Sequence, residues 1–298
     1  MHWQTARYRI DLQKPRIMGI VNVTPDSFSD GAAHQSPDAA LAHCELLLRE
    51  GADILDIGGE STRPGALPVP LDLELQRVLP VLRHAVTLGV PVSVDTYKPE
   101  VMRAALDLGA DIVNDIWALR WRAAPDALDG VRVVAAHPAC GVCLMHMHRD
   151  PSQMQVAPME GDAVPQVAAF LAQAAQQLME QGVAAARICL DPGIGFGKTV
   201  AQNFALLARQ SELRLAGCAL LAGWSRKSSL AAVTQTSLAA VARMDVQERM
   251  VPSVVAALLA VQNGAHVVRV HDVRPTVQAF KVLAAQRAAL PGVRVDGE

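Results

Sequence analysis

The chain has 298 residues, of which 51% are hydrophobic and 19% are charged, and this balance excludes a disordered protein. A formal net charge of -2 and an aromatic content of 4% argue against nucleic acid as a partner, because they encode neither a basic surface nor a base-stacking platform. The first residues carry no apolar signal-peptide core, and no apolar run approaches the ~20 residues of a membrane span, so we expect a cytoplasmic protein without a membrane anchor.

Eight short apolar runs follow one another along the chain, and each leads into a polar or charged residue. Residues 1–15, before the first run, are expected to form an N-terminal extension or hairpin. Buried parallel strands read as continuous apolar runs, because helices cover both faces of the sheet. Eight strand-then-helix units therefore predict an α/β fold, a closed (β/α)8 barrel, with residues 1–298 as a single domain and the barrel at about 16–290. The runs are 17–23, 53–57, 91–94, 111–113, 142–145, 187–190, 218–222 and 266–268.

Helices are predicted between these runs. Ser36 and Pro37 are typical of a helix N-cap and first turn. Two long loops follow the first and second runs, and loops of this length in a compact barrel are usually functional. Further helices are predicted from about Leu71, over Pro99–Leu108, over Asp162–Gln181, after Lys198, twice within 228–264, and after Asp272.

Four polar side chains close four different runs: Asp95, Asn114, Asp191 and Lys227. In a barrel, all four would point into one pocket at the carboxyl ends of the strands. Three acceptor-rich side chains and one ammonium suit a flat heterocycle with an amino–amide edge, because such an edge offers N–H donors and a carbonyl. The alternative is that the two aspartates only cap the turns that follow them.

A second group of residues is basic. Arginines with hydroxyl groups on rim loops suit a phosphate or a diphosphate, and the amide oxygen of Asn22 can help to hold Mg²⁺. Scattered arginines that only face solvent are the alternative interpretation. The group consists of Arg63, Arg226, Arg269 and His271, with Asn22, Ser61 and Thr62.

Weaker signals leave alternatives open. The run 193–199 fails the phosphate-loop pattern, because Pro192 replaces the required glycine, and Lys198 is equally compatible with anion binding and with a tight glycine turn. Cys140 and Cys143 are better interpreted as buried thiols than as zinc ligands. Met145 could lie flat on a planar ring or belong to the core, and we expect the aromatic side chains of the polar loops, Phe28 and Phe196, to contact ligand.

Eight motifs occur in the order of one known family, and together they resemble the dihydropteroate synthases of folate biosynthesis. The resemblance covers about residues 16–282. The motifs are Met18–Gly31, Asp56–Gly65, Pro91–Pro99, Ile112–Ile116, Cys143–Met147, Leu190–Lys198, Ser225–Ser228 and Arg269–Val273.

The resemblance implies a (β/α)8 barrel, usually a homodimer, that condenses 6-hydroxymethyl-7,8-dihydropterin diphosphate with p-aminobenzoate. The products would be 7,8-dihydropteroate and pyrophosphate, and the cofactor would be Mg²⁺. The 228–264 segment is our choice for the dimer face, because its apolar content is high for a barrel exterior.

The family's functional residues carry over by matched position. Asp30 would face the developing cation of the pterin methylene, and the catalytic set would be Asp30, Arg63, Lys227, Arg269 and His271. The pterin would contact Asp95, Asn114, Met145, Asp191, Lys227 and Arg269. The diphosphate would contact Asn22, Thr62, Arg63, Arg269 and His271, with Asn22 also on the metal. The p-aminobenzoate site, which sulfonamide inhibitors of the family also occupy, would be bordered by Phe28, Pro64, Phe196 and Ser225.

Some stretches depart from the family pattern. The match fades over 117–140, His148–Asp150 is atypical, and Trp224 is expected to crowd the rim of the pocket. Two other functions remain as alternatives. One is a methyltetrahydrofolate-binding methyltransferase module, which would not need the Ser61–Pro64 and Ser225–Ser228 segments, and the other is a non-catalytic paralogue.

Overall fold

The computed structural model describes residues 1–24, 37–61, 66–150, 154, 156–235, 245 and 247–289. The strands are β1 (His2–Gln4), β2 (Arg9–Asp11), β3 (Arg16–Asn22), β4 (Ile54–Gly58), β5 (Val92–Asp95), β6 (Ile112–Asp115), β7 (Gly141–Met145), β8 (Ile188–Asp191), β9 (Ala219–Ala222) and β10 (Val267–Val270). The helices of the described residues are α1 (Pro37–Glu50), α2 (Leu71–Ala85), α3 (Pro99–Asp107), α4 (Gly130–Ala136), α5 (Ala163–Glu180), α6 (Val200–Ala208), α7 (Ser228–Thr234), α8 (Met250–Gln262) and α9 (Val273–Ala288).

Strands β3 to β10 form a closed parallel barrel in chain order, with β10 paired to both β9 and β3. The predicted (β/α)8 barrel is therefore confirmed, and each of the eight apolar runs is one barrel strand. No helix in the described ranges is long and apolar enough to cross a membrane.

Strand alternation divides the side chains between two environments. Residues such as Leu55 and Ile57 pack outward in the large core beneath the helices. Their neighbours point into the barrel, where Met18, Ile54 and Cys189 belong to a second, interior core. The same alternation points polar residues into the barrel near the carboxyl ends of the strands, and the candidate site lies there.

Helix boundaries follow the predicted signals closely. Pro37 is the first residue of α1, Leu71 is the first residue of α2, and Gly109 and Gly182 follow α3 and α5 with positive φ angles of 99° and 86°. Asp272 lies at the N-cap position of α9 but makes no side-chain capping bond. The reason is that its carboxylate pairs with Arg226 instead.

The β1–β2 hairpin closes the amino-terminal end of the barrel. Its Trp3 is fully buried, and the indole Nε1 donates to the carbonyl of Arg187 at 2.9 Å. Arg7, in the turn between the two strands, donates to the buried carboxylate of Asp111 at 2.7 Å. Of the two forms expected for residues 1–15, an extension or a hairpin, the structure has the hairpin, and it covers the end of the barrel opposite to the carboxyl ends of the strands.

Candidate active site

Four inward-facing side chains meet at the carboxyl end of the barrel, and three of them, Asp95, Asn114 and Asp191, belong to the predicted polar set. Asp95 and Asn114 are register partners on β5 and β6, and Met145 and Asp191 are register partners on β7 and β8. Asn114 and Asp191 are 5% and 6% exposed, so their polar groups are largely shielded from solvent.

Arg269 on β10 reaches across this mouth and pairs with two carboxylates. Its Nε donates to Asp56 Oδ2 at 2.6 Å, and its Nη2 donates to Asp95 Oδ2 at 2.5 Å. Asn114 Nδ2 donates to the same oxygen of Asp56 at 3.1 Å. The guanidinium therefore joins β4, β5 and β10, and Asp56 connects it to β6.

Asp56 is a site residue that the sequence prediction missed. It ends the second apolar run in the same way that Asp95 ends the third, and strand alternation places it inward with Ile54 and Gly58. The same reasoning that selected Asp95 could have selected Asp56.

Lys227 and Asp191 occupy the opposite side of the mouth. Asp191 Oδ1 accepts from the Gly193 amide at 2.7 Å, so this aspartate does cap its turn, while its charge still acts on Lys227. Lys227 Nζ lies 4.3 Å from the centroid of the Phe196 ring, which places an ammonium on an aromatic face. Phe196 is buried, at 7% exposed. The reason is that it packs with Met145 and Met147 in an apolar cluster beside the mouth.

The ionisation of these groups is displaced from ordinary values. Burial raises the pKa of Asp95 to about 7, against the opposing effect of Arg269. Burial lowers the pKa of Lys227 to about 8, and Asp191 partly restores it. Burial also disfavours the charge of Arg269, but Asp56 and Asp95 outweigh it and raise the pKa. Such displaced groups around one concave mouth are typical of a ligand site.

Ser225 and His271 form a pair at the rim. Ser225 Oγ lies 2.9 Å from His271 Nδ1, and it accepts from the His271 backbone N–H at 3.1 Å. The loop after β9 is thereby fixed to the end of β10, and the imidazole stands two residues beyond Arg269, on the same inward-facing side.

Comparison with known proteins agrees with this geometry. The model of the pterin binding enzyme family matches residues 18–271. A dihydropteroate synthase of Neisseria meningitidis serogroup B is 47% identical over 95% of this chain and 96% of its own length. The chain belongs to the dihydropteroate synthase family of pterin-binding enzymes.

Two solved structures of the family bear on the site. The dihydropteroate synthase of Burkholderia cenocepacia, solved with 7,8-dihydropteroate, has 47% identity, a TM-score of 0.83, and coverage of 97% of each chain. The Yersinia pestis enzyme, solved with a sulfonamide drug complex, has 39% identity, a TM-score of 0.87, and coverage of 97% of this chain and 100% of its own.

Arg226 of the predicted anion group and Lys198 of the glycine-rich turn both have structural partners in this family member. Arg226 donates to both carboxylate oxygens of Asp272, at 2.7 and 3.1 Å, so its guanidinium is already paired. Lys198 Nζ is buried and donates to the carbonyls of Gly193, Phe196 and His146. The anion-binding interpretation of Lys198 therefore gives way to the tight-turn interpretation.

Other sequence expectations are also settled. Trp224 does not crowd the mouth, because it is 1% exposed and packs on Phe204 of α6 with ring centroids 5.2 Å apart. The cysteines are buried free thiols, as predicted, and the described residues contain no group of three or more His, Cys, Asp or Glu side chains that could hold a metal.

A buried cluster behind the second loop was not predicted from the sequence. Lys98 Nζ donates to both Glu60 and Glu74, and Tyr97 donates its hydroxyl to Glu60 Oε1 at 2.9 Å. The carboxylates raise the pKa of Lys98 although its burial acts to lower it. This cluster ties the beginning of the loop after β4 to α2 and to the loop after β5.

Several predicted site residues lie outside the described residues, and their assignments stay predictions. They are Phe28, Asp30, Thr62, Arg63 and Pro64.

Asn22 is described, half-buried at the last position of β3. As one neutral amide it fits Mg²⁺ only as a single ligand, an arrangement this ion tolerates because it keeps most of its waters and binds phosphate oxygens.

Proposed function

We propose that this protein is a dihydropteroate synthase, which condenses 6-hydroxymethyl-7,8-dihydropterin diphosphate with p-aminobenzoate to give 7,8-dihydropteroate and pyrophosphate. The observation that carries the proposal is the convergence of Asp95, Asn114, Asp191 and Lys227 on one barrel mouth. The relative solved with 7,8-dihydropteroate supports the choice of product.

The polar groups of the mouth match the edge of a pterin. Carboxylates of Asp95 and Asp191 accept from ring N–H donors, and Lys227 donates to a ring oxygen or nitrogen. Asn114 adds an amide between them, and Met145 supplies part of the apolar wall. Because Asn114 and Asp191 are largely shielded from solvent, their bonds to a ligand are stronger than they would be in water.

The diphosphate is assigned to the basic side of the mouth. Arg269 and His271 would bind its oxygens, together with Thr62 and Arg63 of the second loop. Asn22 would hold Mg²⁺ by its amide oxygen, and the ion, when bound, supplies charge neutralisation for the departing diphosphate. Arg269 contributes the same effect from the protein itself.

The reaction exchanges a C–O bond for a C–N bond at the pterin methylene. The departing diphosphate takes the C–O electron pair, and the positive charge spreads into the pterin ring. The aniline nitrogen of p-aminobenzoate then attacks the methylene carbon and loses a proton. No covalent enzyme intermediate is needed, and Phe28, Pro64, Phe196 and Ser225 would border the incoming aromatic amine.

Asp30 would face the cation that develops on the methylene. On this assignment, Asp30→Ala lowers turnover by more than it lowers pterin affinity, because the charge it stabilises is absent from the ground state. Steady-state kinetics and calorimetry with a pterin measure the two effects, and equal losses in both would contradict the role.

A homodimer is proposed through α8. Val251, Val255 and Leu259 lie four residues apart on this helix and are 63%, 50% and 41% exposed, which forms an apolar stripe on one face. The stripe falls within the 228–264 segment chosen from the sequence.

The deciding experiment measures pyrophosphate release by the purified protein. Dihydropterin diphosphate and Mg²⁺ are supplied with and without p-aminobenzoate, and Lys227→Ala is run beside Lys281→Ala, a change on the exposed face of α9. Release that needs both substrates, fails in Lys227→Ala and persists in Lys281→Ala supports the synthase. Pterin binding without release would favour the methyltransferase module or the non-catalytic paralogue instead.

A further inference from the structure

Asp56 is the most completely buried charged group of the mouth, with an exposed fraction of 0%. One of its oxygens, Oδ2, accepts from both Arg269 and Asn114, at 2.6 and 3.1 Å. The other, Oδ1, is buried and has no hydrogen-bond partner in the part of the chain that the structure describes. The carboxylate therefore accepts its hydrogen bonds from two residues of the proposed pterin and diphosphate sites.

The bond to Asn114 fixes the orientation of that amide. A carboxylate only accepts, so the NH₂ end of Asn114 must face Asp56, and the carbonyl end must face away from it. Reversing the amide would set two acceptors against each other inside a buried site, which is strongly unfavourable. Asn114 is thereby presented to a ligand as an acceptor.

The bonds of Arg269 divide between two carboxylates of different accessibility. Nη2 is held by Asp95, whose side chain is 12% exposed, and Nε is held by Asp56, which is sealed from solvent. A pterin ring that donates hydrogen bonds to the Asp95 carboxylate must displace Nη2 of Arg269 from it. The bond from Nε of Arg269 to Asp56 stays in place. The guanidinium then has a fixed attachment from which its Nη groups can turn to the diphosphate.

We propose that Asp56 is a positioning residue of this enzyme: it orients the amide of Asn114 and anchors Arg269 while Asp95 exchanges that arginine for the substrate. The inference rests on the proposed function, because the exchange requires a pterin at Asp95. A role in stability alone is the competing explanation, since a buried carboxylate that neutralises an arginine also holds a fold together.

Asp111 provides the matched control. It too is fully buried and pairs with an arginine, Arg7, but at the opposite end of the barrel. Asp111→Asn should lower the unfolding midpoint and leave ligand binding unchanged.

The test compares Asp56→Ala with Asp56→Asn. An asparagine can place its Oδ1 where Oδ2 accepts and its amide nitrogen at the unpartnered oxygen, so it preserves the accepted bonds, whereas alanine removes them. Calorimetry with 6-hydroxymethylpterin, which lacks phosphate, reports on Asn114, and calorimetry with inorganic pyrophosphate and Mg²⁺ reports on Arg269. We expect Asp56→Ala to weaken both affinities about tenfold or more, since bonds to a charged group are lost. For Asp56→Asn we expect both affinities to stay within about threefold of wild type, because the asparagine oxygen keeps the accepted bonds.

Each outcome bears on one claim. If Asp56→Ala binds both ligands like the wild type, or if Asp56→Asn loses as much as alanine, the positioning role is overturned. Should Asp56→Ala fail to fold, Asp56→Asn decides: affinity within threefold of wild type supports the role, and a tenfold loss overturns it. A wild-type protein that binds no pterin would instead overturn the proposed function, and the two failures are therefore distinguishable.

Discussion

The two ends of the barrel use the same kinds of residues in opposite ways. At the amino-terminal end, buried Arg187 donates to the backbone carbonyls of Val134, His137, Pro138 and Cys140. At the carboxyl end, Arg269 is shared between two carboxylates.

The states of the two arginines differ accordingly. The guanidinium of Arg187 donates to fixed backbone carbonyls of a single segment. Arg269 instead pairs with the side chain of Asp95, and burial raises the pKa of that carboxyl to about 7. Among the described residues, Asp56 Oδ1 has no hydrogen-bond partner. Buried polar groups with fixed backbone partners rigidify a fold, whereas a partly exposed carboxylate with a displaced pKa, such as Asp95, is typical of a ligand site.

Removing the arginine at the open end should produce the largest change. Arg269→Ala is expected to lower the rate of pyrophosphate release by roughly 100- to 1000-fold, because one donor to the developing charge is lost. Stopped assays of pyrophosphate, with thermal unfolding as a check on folding, measure this effect. A rate within threefold of wild type would place the diphosphate elsewhere.

Removing the arginine at the closed end should act on stability instead. Arg187→Ala is expected to lower the free energy of unfolding by about 3 kcal/mol, since several buried carbonyls lose their donor. Urea unfolding followed by circular dichroism gives this value. The turnover of the folded fraction should stay unchanged, and a fall in that turnover would break the contrast between the two ends.

The pH dependence of binding should follow the raised and lowered pKa values of the mouth. As the pH falls through about 7, Asp95 gains a proton and loses its negative charge, so it accepts more weakly from the N–H donors of a pterin and the affinity should fall up to tenfold per unit. As the pH rises through about 8, Lys227 loses its proton and affinity falls again. Calorimetry with a phosphate-free pterin should therefore give a maximum between these values, and Asp95→Asn should abolish the acid limb.

The smallest effect on activity is expected from the exterior. Val255→Asp places a charge in the apolar stripe of α8 and should convert a dimer to a monomer in sedimentation at micromolar protein. Leu73→Asp on α2, where the leucine is 39% exposed, is the control and should not change the sedimentation coefficient. A wild-type monomer would contradict the dimer directly.

The fold could be predicted almost fully, because each buried strand of the barrel has a continuous apolar sequence. Asp95 and Asp191 were predictable for the same reason, since each ends a run. The same rule also applies to Asp56, although it is absent from the predicted site residues.

The hydrogen-bond and ion-pair partners of individual side chains could not be predicted from the sequence. The partners of Arg226 and Lys198, Asp272 and three backbone carbonyls, depend on how loops fold back onto one another. The Glu60–Lys98–Glu74 cluster likewise joins residues up to 38 positions apart, and periodicity carries no information about such contacts.

The glycines after β8 restrict how this pocket can evolve. A Cβ on Gly193 would stand 2.0 Å from the carbonyl oxygen of His146, and one on Gly197 would stand 2.6 Å from that of His148. Both positions, and Gly195 between them, also have positive φ angles of 65° to 83°. Within this turn, only Ile194 and Phe196 can be substituted without a steric or conformational conflict of the backbone, and Phe196 is the one of the two that contacts Lys227. Sequence change in this wall of the mouth should therefore concentrate at Phe196.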